Sequence, residues 1–264
     1  MDIDALSSIA LGSLLVLLSC AYVVRVARAG RAHHPRVDAE GKSALLTKDV
    51  MEMLCWSVQP VVALCVRLRL TPDAVTYASL VLGCAAGVAL GAGHFGLGAL
   101  IATVAAGGDA IDGLLARRLG VSSVAGEVLD AAVDRYVDFA LLAGVAFHFR
   151  GDAARLLLVF AAILASFMVS YSTAKAESLH VAPPRGSMRR VERAVLLVGA
   201  AALTPAAVAL GGRWPDVPML LALATISILG NISAVQRLGS IRAAVRERAR
   251  YATHDVRVGK AAAE

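Results

Sequence analysis

The sequence is poor in charged residues, in aromatic residues and in cysteine. Charged side chains make up 17% and aromatic side chains 5% of its 264 residues, whereas 58% of the residues are hydrophobic. Soluble globular proteins carry about 25% charged residues, so this composition excludes that class. The scarce aromatic residues do not accompany the basic ones, which excludes an aromatic-rich basic patch for nucleic acid. We therefore expect no nucleic-acid partner.

The cysteines give no indication of a metal site or a disulfide. The sequence has no Cys-x-x-Cys motif and no Cys/His pair, so neither a thiolate metal site nor a redox pair is indicated. We expect reduced thiols buried among apolar residues. These are Cys20, Cys55, Cys65 and Cys84.

Long apolar segments are abundant, and the mean hydropathy is +0.70. A helix needs about 20 apolar residues to cross the hydrocarbon core. The sequence therefore predicts an all-α, polytopic membrane helical bundle. We expect an N-terminal span at about 5–24 and six further spans at about 71–92, 97–118, 125–148, 153–177, 191–210 and 217–238.

Segment 47–70 differs from the predicted spans. It mixes apolar residues with Lys48, Asp49, Glu52 and Pro60, which favours an amphipathic helix at the membrane interface. The spans then divide the chain into an N-terminal anchor with a basic linker (1–46), a main domain (47–240) and a basic tail (241–264). In contrast, Thr71-Pro72-Asp73 has the N-cap, proline and acid of a helix start.

The placement of basic residues predicts the orientation. Lys and Arg exceed Asp and Glu by 26 to 20, and nearly all of them flank one side of the predicted spans. Only Arg150, Arg155 and Arg213 fall at the other side. Cytoplasmic ends carry the excess of Lys and Arg in membrane proteins. We therefore expect the N-terminal linker, the tail and the loops near Arg118 and Arg190 in the cytoplasm, where they can contact anionic membrane lipid.

Four aspartates interrupt this apolar sequence on a fixed spacing. They follow the pattern Asp109-x2-Asp112-Gly113-x2-Ala116-Arg117-x8-Gly126-x3-Asp130-x3-Asp134. Residues three or four apart share one face of a helix. Converging carboxylates repel one another and lose hydration, so either a divalent metal or structural pairing with Arg117, Arg118 and Arg135 has to compensate. Oxygen ligands without His or Cys favour Mg²⁺, with Mn²⁺ possible.

This pattern resembles the signature of the CDP-alcohol phosphatidyltransferases, integral-membrane enzymes that make phospholipids. Every fixed position of the signature is matched, and the resemblance covers about 71–238. It implies transfer of a phosphatidyl group from CDP-diacylglycerol to a small polyol or polyol phosphate, with release of CMP. It also implies two metal ions, a homodimer and, we expect, the inner membrane of a bacterial cell with the active site facing the cytoplasm.

The resemblance also implies roles for individual residues. The metal ligands would be Asp109, Asp112, Asp130 and Asp134, with Asp134 as the catalytic base. CDP-lipid binding would fall to Asp112, Gly113, Ala116, Arg117, Ser123, Gly126 and Thr76. The family usually has Asn at the position of Asp73. Because a carboxylate replaces the amide here, we do not count Asp73 among the predicted nucleotide contacts.

The later spans resemble the phosphatidylinositol-phosphate synthases within this family. The resemblance rests on Ser170-Tyr171-x2-Ala174-Lys175-Ala176-Glu177, Gly186 and Glu192-Arg193. It implies inositol phosphate as the acceptor, bound by Thr173, Lys175, Arg193 and Arg237. Thr173 and Lys175 stand where the subgroup has a basic residue and an arginine, which keeps glycerol 3-phosphate as an alternative acceptor. A non-catalytic membrane scaffold and a cation transporter are the alternatives of another class.

Overall fold

The structure is a computed structural model and describes residues 2–31, 47–182, 186–211 and 215–261. The basic linker at 32–46, Arg213 and the last residues of the tail lie outside this description. Within the described ranges the chain forms nine helices and no strand. They are α1 (Ile3–Ala29), α2 (Lys48–Ser57), α3 (Gln59–Arg67), α4 (Pro72–Gly91), α5 (Phe95–Leu119), α6 (Val124–His148), α7 (Ala153–Ser178), α8 (Arg190–Ala209) and α9 (Val217–Ala261). The predicted all-α membrane fold is confirmed.

Seven helical segments of the described chain are long and apolar enough to cross a membrane. Six of them agree with predicted spans. The seventh, Lys48–Arg67, is the segment predicted to lie at the interface, and it bends at Val58 into two helices of 10 and 9 residues. Each half alone is too short to cross the hydrocarbon core. Helix α6, predicted as a span, is not among the seven, because it carries Asp130, Asp134 and further charges.

The ends of α4 and α6 follow from local sequence. Thr71 caps α4 by accepting a hydrogen bond from the Ala74 amide at 3.2 Å, and Pro72 stands at the first helical position. This confirms the predicted helix start. Ser123 caps α6 in the same way, with its Oγ 3.1 Å from the Gly126 amide nitrogen. Between these ends, Gly120 has a φ of 69°, which allows the chain to turn sharply after α5.

The six helices from α4 through α9 share one hydrophobic core, and Leu11 of α1 also belongs to it. Helix α4 packs between α5 and α6, and α9 packs on α7 and α8. The additional helix α1 lies against α5 and α8. Helix α9 runs unbroken from Val217 to Ala261, so the last span and the basic tail are one helix. Arg248 in that extension donates to the Leu179 carbonyl at 3.0 Å, at the end of α7.

The cysteines are free, but the expectation that all are buried is wrong. Only Cys65 is buried, and Cys20 and Cys84 are exposed on the helix surfaces. Both lie on apolar spanning helices. A thiol behaves as a small apolar group, so a surface that faces lipid accepts it as readily as a protein core does.

Candidate active site

The four aspartates of the signature come together where α5 and α6 face each other. Asp109 and Asp112 lie on α5, and Asp130 and Asp134 lie on α6. One carboxylate oxygen from each of Asp109, Asp112 and Asp130 lies within 4.8 Å of the other two. Three carboxylates this close are suited to hold a metal ion. The spacing therefore placed these side chains together as the helical periodicity predicts.

The chemistry of this group fits a divalent cation. All the donors are carboxylate oxygens, the ligands that Mg²⁺ and Mn²⁺ prefer. Asp130 Oδ1 is buried and has no hydrogen-bond partner among the described residues. A buried, unpartnered carboxylate oxygen is costly unless a ligand compensates it. A bound metal ion would compensate it.

Thr76 on α4 holds one of these carboxylates in place. Its Oγ1 donates to Asp112 Oδ2 at 2.6 Å, and the amide of Gly113 donates to Asp112 Oδ1 at 2.6 Å. Both side chains are buried, with 5% of Thr76 and 5% of Asp112 exposed. A hydrogen bond to a ligating carboxylate fixes its orientation. Thr76, predicted as a CDP-lipid contact, is therefore placed as a support for Asp112.

An arginine contacts both Asp134 and Asp109. Arg190, the first residue of α8, places Nη1 2.8 Å from Asp134 Oδ1 and 2.9 Å from Asp109 Oδ2. The contact with Asp134 lacks hydrogen-bond geometry, whereas the contact with Asp109 is a hydrogen bond. Arg190 thus bridges the aspartates of α5 and α6. Arg135 is more distant, with its Nη1 3.9 Å from Asp134 Oδ2.

A pocket of about 340 Å³ opens beside Asp134. Its charged lining consists of five arginines and two aspartates, so it has an excess of three positive charges. An excess of this kind favours a ligand with several negative charges. The lining residues are Asp134, Arg135, Asp138, Val169, Ser170, Thr173, Arg189, Arg190, Arg193 and Arg237.

Arg237 ties the loop before α8 to α9. Its Nη2 donates to the Gly186 carbonyl at 3.0 Å, and its Nη1 donates to Thr173 Oγ1 at 3.3 Å. Ser233 adds a hydrogen bond to the Ser187 carbonyl at 2.7 Å. A Cβ at Gly186 would lie 2.7 Å from Arg237 Nε, so a larger residue at this position would displace the Arg237 side chain. Arg237 therefore shapes the pocket as well as lining it.

Arg193 is held by a carboxylate of its own. Its Nη2 lies 2.7 Å from Asp138 Oδ2, and its Nη1 donates to the Met188 carbonyl at 2.8 Å. Its Nε is buried and has no hydrogen-bond partner in the described chain. One donor of Arg193 is thus left without a partner among the described residues.

Several predicted site residues lie away from the pocket. Lys175 is exposed and does not line it, unlike Thr173, Arg193 and Arg237. Arg117 is exposed at the end of α5, and Ala116 beside it is half-buried. Ser123 and Gly126 lie at the start of α6, where an added Cβ at Gly126 would meet only Ser123 Oγ, at 3.4 Å.

Four charged residues that line this pocket were not predicted as site residues, namely Arg135, Asp138, Arg189 and Arg190. Arg190 was named only as the marker of a predicted cytoplasmic loop, although a basic residue at the cytoplasmic start of a predicted span is a usable signal. Asp138 follows Asp134 by four residues and so shares its helix face. Arg189 precedes Arg190, and nothing in the sequence distinguishes it from an ordinary interfacial arginine.

Comparison with known proteins agrees with this geometry. The sequence model of the CDP-alcohol phosphatidyltransferase family matches residues 69–232. The match contains all four aspartates, Arg190 and Arg193. The chain therefore belongs to the CDP-alcohol phosphatidyltransferase family and is an enzyme of that family.

The chain is similar to individual enzymes of this family. The chain is 32% identical over 194 residues to the phosphatidylinositol phosphate synthase of Cutibacterium acnes, covering 71% of this chain and 93% of that protein. It is also 32% identical over 227 residues to the enzyme of the same name from Streptomyces avermitilis, covering 82% of this chain and 89% of that one.

Solved structures of a third relative share the fold. One is the crystal structure of Mycobacterium tuberculosis phosphatidylinositol phosphate synthase in complex with manganese and citrate, with a TM-score of 0.64, 25% identity, and coverage of 70% of this chain and 88% of that one. Another shows the same enzyme with CDP-DAG bound, with a TM-score of 0.61 and 25% identity over 69% of this chain and 92% of that one. The chain is thus similar to these enzymes along most of their length.

Proposed function

We propose that this protein transfers the phosphatidyl group of CDP-diacylglycerol to inositol phosphate and releases CMP. The observation that carries the proposal is the arginine-rich pocket beside Asp134. A phosphorylated polyol brings two negative charges and several hydroxyl groups, which suits a pocket with an excess of positive charge better than a neutral alcohol does. The similarity to phosphatidylinositol phosphate synthases supports the same acceptor.

The aspartates and the pocket divide the work of the reaction. The acceptor hydroxyl forms a new P–O bond to the phosphatidyl phosphorus, and the P–O bond to the phosphate of CMP breaks. Asp134 takes the hydroxyl proton, because it is the aspartate that both belongs to the cluster and lines the pocket. Arg193 and Arg189 orient the acceptor through its phosphate, so that the hydroxyl faces Asp134.

Asp109, Asp112, Asp130 and Asp134 are proposed to hold two Mg²⁺ ions, which Mn²⁺ can replace. When bound, the ions supply positive charge that polarises the phosphoryl oxygens and stabilises the leaving CMP. The structure of the M. tuberculosis relative in complex with manganese supports this assignment. Thr76 keeps Asp112 oriented for it.

CDP-diacylglycerol is proposed to bind on the other side of the aspartates, along the end of α5 and the start of α6. A Cβ added at Gly126 would meet only Ser123 Oγ, at 3.4 Å, and the absence of a side chain allows a ligand to approach the backbone closely. Gly113, Ala116 and Ser123 border the same region, and Arg117 extends its guanidinium towards the diphosphate. The relative crystallised with CDP-DAG supports this lipid as the donor.

The orientation and assembly of the protein are proposed from sequence and resemblance. The basic loops place the aspartates at the cytoplasmic side of a bacterial inner membrane, where soluble inositol phosphate is accessible. The family resemblance implies a homodimer. Lys175, outside the pocket, is proposed to attract the anionic acceptor towards its entrance.

An acceptor panel tests the proposal. Purified protein in lipid nanodiscs receives Mg²⁺, CDP-diacylglycerol and one acceptor at a time, and CMP release is measured. We expect release with inositol phosphate, little with glycerol 3-phosphate and none with free inositol. If no alcohol or polyol phosphate stimulated CMP release, the transferase proposal would be wrong, and a scaffold or transporter role would replace it.

A further inference from the structure

Arg190 connects the two halves of the proposed site. Its guanidinium contacts Asp109 and Asp134 at 2.9 and 2.8 Å, and the same side chain lines the arginine pocket. Its Nε is buried and makes no hydrogen bond to any described residue, the nearest carboxylate oxygen being Asp138 Oδ1 at 3.7 Å. The side chain therefore contacts two aspartates through Nη1, while its Nε has no hydrogen-bond partner among the described residues.

A guanidinium and a divalent cation compete for the same carboxylate oxygens. Asp109 belongs to the group that fits a metal ion, and its Oδ2 accepts a hydrogen bond from Arg190. Two positive charges that share one carboxylate repel each other. We therefore expect a metal ion to bind Asp109 more weakly while Arg190 holds Asp109 Oδ2.

The pocket offers Arg190 a second position. Arg190 and Arg193 both line the pocket, and a turn of either side chain would present its Nε, which has no partner among the described residues, to a phosphate bound between them. The phosphate would also give Arg190 a negatively charged partner in place of the carboxylates that it leaves. An anion in the pocket thus removes the competitor of the metal ion, and a metal ion releases a ligand for the anion.

We propose that Arg190 is a positioning residue that exchanges between the aspartates and the acceptor phosphate, so that metal and anionic acceptor strengthen each other's binding. The inference rests on the proposed function only in that it takes a phosphate-bearing acceptor to enter this pocket. Linkage requires the effect to be equal in both directions. The exchange also frees Asp134 to accept a proton only when the acceptor is present.

Manganese binding measured without any lipid substrate tests this exchange. Electron paramagnetic resonance of free Mn²⁺ gives its Kd for the purified full-length protein in nanodiscs, with sodium sulfate or with sodium chloride at equal ionic strength. Sulfate serves as a tetrahedral anion, so the identity of the acceptor does not enter. We expect sulfate to lower the Mn²⁺ Kd of the unaltered protein by about fivefold or more, the usual lower range of such coupling.

The variant Arg190→Gln separates the exchange from a direct effect of the anion. We expect it to bind Mn²⁺ more tightly than the unaltered protein in chloride, with a sulfate effect below about twofold. Arg193→Gln is the matched control. It also removes one positive charge from the pocket, but the native Arg193 pairs with Asp138 and not with Asp109 or Asp134. It should keep the weaker Mn²⁺ affinity in chloride and respond to sulfate at higher concentrations.

Two outcomes would overturn the inference. One is an equal sulfate effect in Arg190→Gln and in the unaltered protein, which would mean that the anion acts directly on the ion. The other is the absence of any sulfate effect in the unaltered protein, a result that needs no variant and therefore no assumption about folding. Neither outcome bears on which acceptor the enzyme uses, which CMP release decides separately.

Discussion

Asp112 and Asp134 meet different neighbours, although they belong to one cluster. Asp112 is buried and receives hydrogen bonds from Thr76 and Gly113, which hold it as an acceptor of positive charge. Asp134 lines the pocket and contacts Arg190. The first arrangement suits a fixed metal ligand, and the second suits a group that also exchanges a proton.

Replacement of Asp134 by asparagine should stop the reaction while the fold persists. The amide keeps the shape of the side chain but neither accepts the acceptor proton nor carries a charge for the metal. We expect CMP release to fall by at least about 100-fold, the contribution of a general base, with little change in thermal unfolding. Asp138→Asn, which alters the same pocket outside the aspartate cluster, should instead raise the KM for the acceptor. Full activity of Asp134→Asn would remove Asp134 from the base role.

Thr76→Val tests whether the hydrogen bond to Asp112 supports metal binding. Valine keeps the shape of threonine but loses the hydroxyl that lies 2.6 Å from Asp112 Oδ2. We expect the affinity for Mn²⁺ to fall by about 10- to 100-fold, as for other residues that orient a metal ligand. Excess Mg²⁺ should restore most of the activity. Thr103→Val is the control, because Thr103 Oγ1 donates to the Ala99 carbonyl of its own helix and to no other described residue. An equal loss in both variants would contradict the assignment.

The sequence alone could predict the aspartates but not their arginine. Helical periodicity brings Asp109 near Asp112 and Asp130 near Asp134 without any knowledge of tertiary structure. Arg190 is 81 residues away from Asp109 in the chain, and only the packing of α8 against α5 brings the two together. Lys175, chosen from a local motif, is exposed outside the pocket because its position on α7 faces away from it.

Helix packing explains how α6 is kept among spanning helices despite its charges. Gly87 of α4 and Gly144 of α6 lie in backbone contact, and a Cβ on Gly144 would lie 2.0 Å from the Gly87 carbonyl oxygen. Close backbone approach through small residues is a main source of association between helices in lipid. This contact holds α6 in a defined position along α4. The positions of Asp130 and Asp134, which lie on α6, depend on it.

Gly144→Ala should therefore destabilise the protein and lower its activity. The added methyl group meets backbone atoms, which cannot rotate away, so α4 and α6 have to separate. We expect a loss of about 1–3 kcal/mol in stability, the usual range for overpacking, seen as a lower unfolding temperature in detergent. Gly199→Ala on α8 is the control, since a Cβ there meets no atom within 4 Å. An unchanged unfolding temperature for Gly144→Ala would show that this contact is not tight.

Helix α1 is joined to the enzyme by a buried carboxylate. Asp4 Oδ1 accepts a hydrogen bond from the Leu97 amide at 3.1 Å, and its Oδ2 lies 2.9 Å from His94 Nδ1. A negative charge at the first turn of α5 is favourable. The apolar segment at about 5–24 predicted a span. Nothing in it indicated that Asp4, in the first turn of α1, would cap the start of α5.

Asp4→Ala should lower stability by about 1 kcal/mol, as the loss of a helix cap does, and a thermal unfolding curve in detergent measures it. Asp2→Ala is the matched control, because Asp2 is exposed and makes no side-chain cap. If both variants unfolded at the same temperature as the unaltered protein, the contact between Asp4 and Leu97 would contribute nothing to the docking of α1.

For the complete chain, the sequence predicted the number of apolar segments better than their roles. Hydropathy identified the apolar segments because length and composition decide membrane insertion. Hydropathy alone includes the bent segment Lys48–Arg67 and leaves out α6, whereas the charges and the proline of segment 47–70 favoured the interface, and 125–148 was predicted as a span. The orientation across the membrane stays a prediction from the basic loops.

Cysteine labelling tests that orientation. In a variant without its four native cysteines, Gly151→Cys after α6 should react with a membrane-impermeant maleimide in intact cells. Ser122→Cys before α6 should react only after the membrane is opened. The reverse pattern would place the aspartates on the outer side, away from cytoplasmic acceptors.

A competition between two acceptors tests the central claim most directly. Purified enzyme with Mg²⁺ and CDP-diacylglycerol receives inositol phosphate and glycerol 3-phosphate at equal concentrations, and the lipid products are identified by mass. The product ratio then equals the ratio of the two kcat/KM values. The arginine pocket predicts that phosphatidylinositol phosphate predominates. A predominance of phosphatidylglycerophosphate, or the absence of both lipids, would contradict the account.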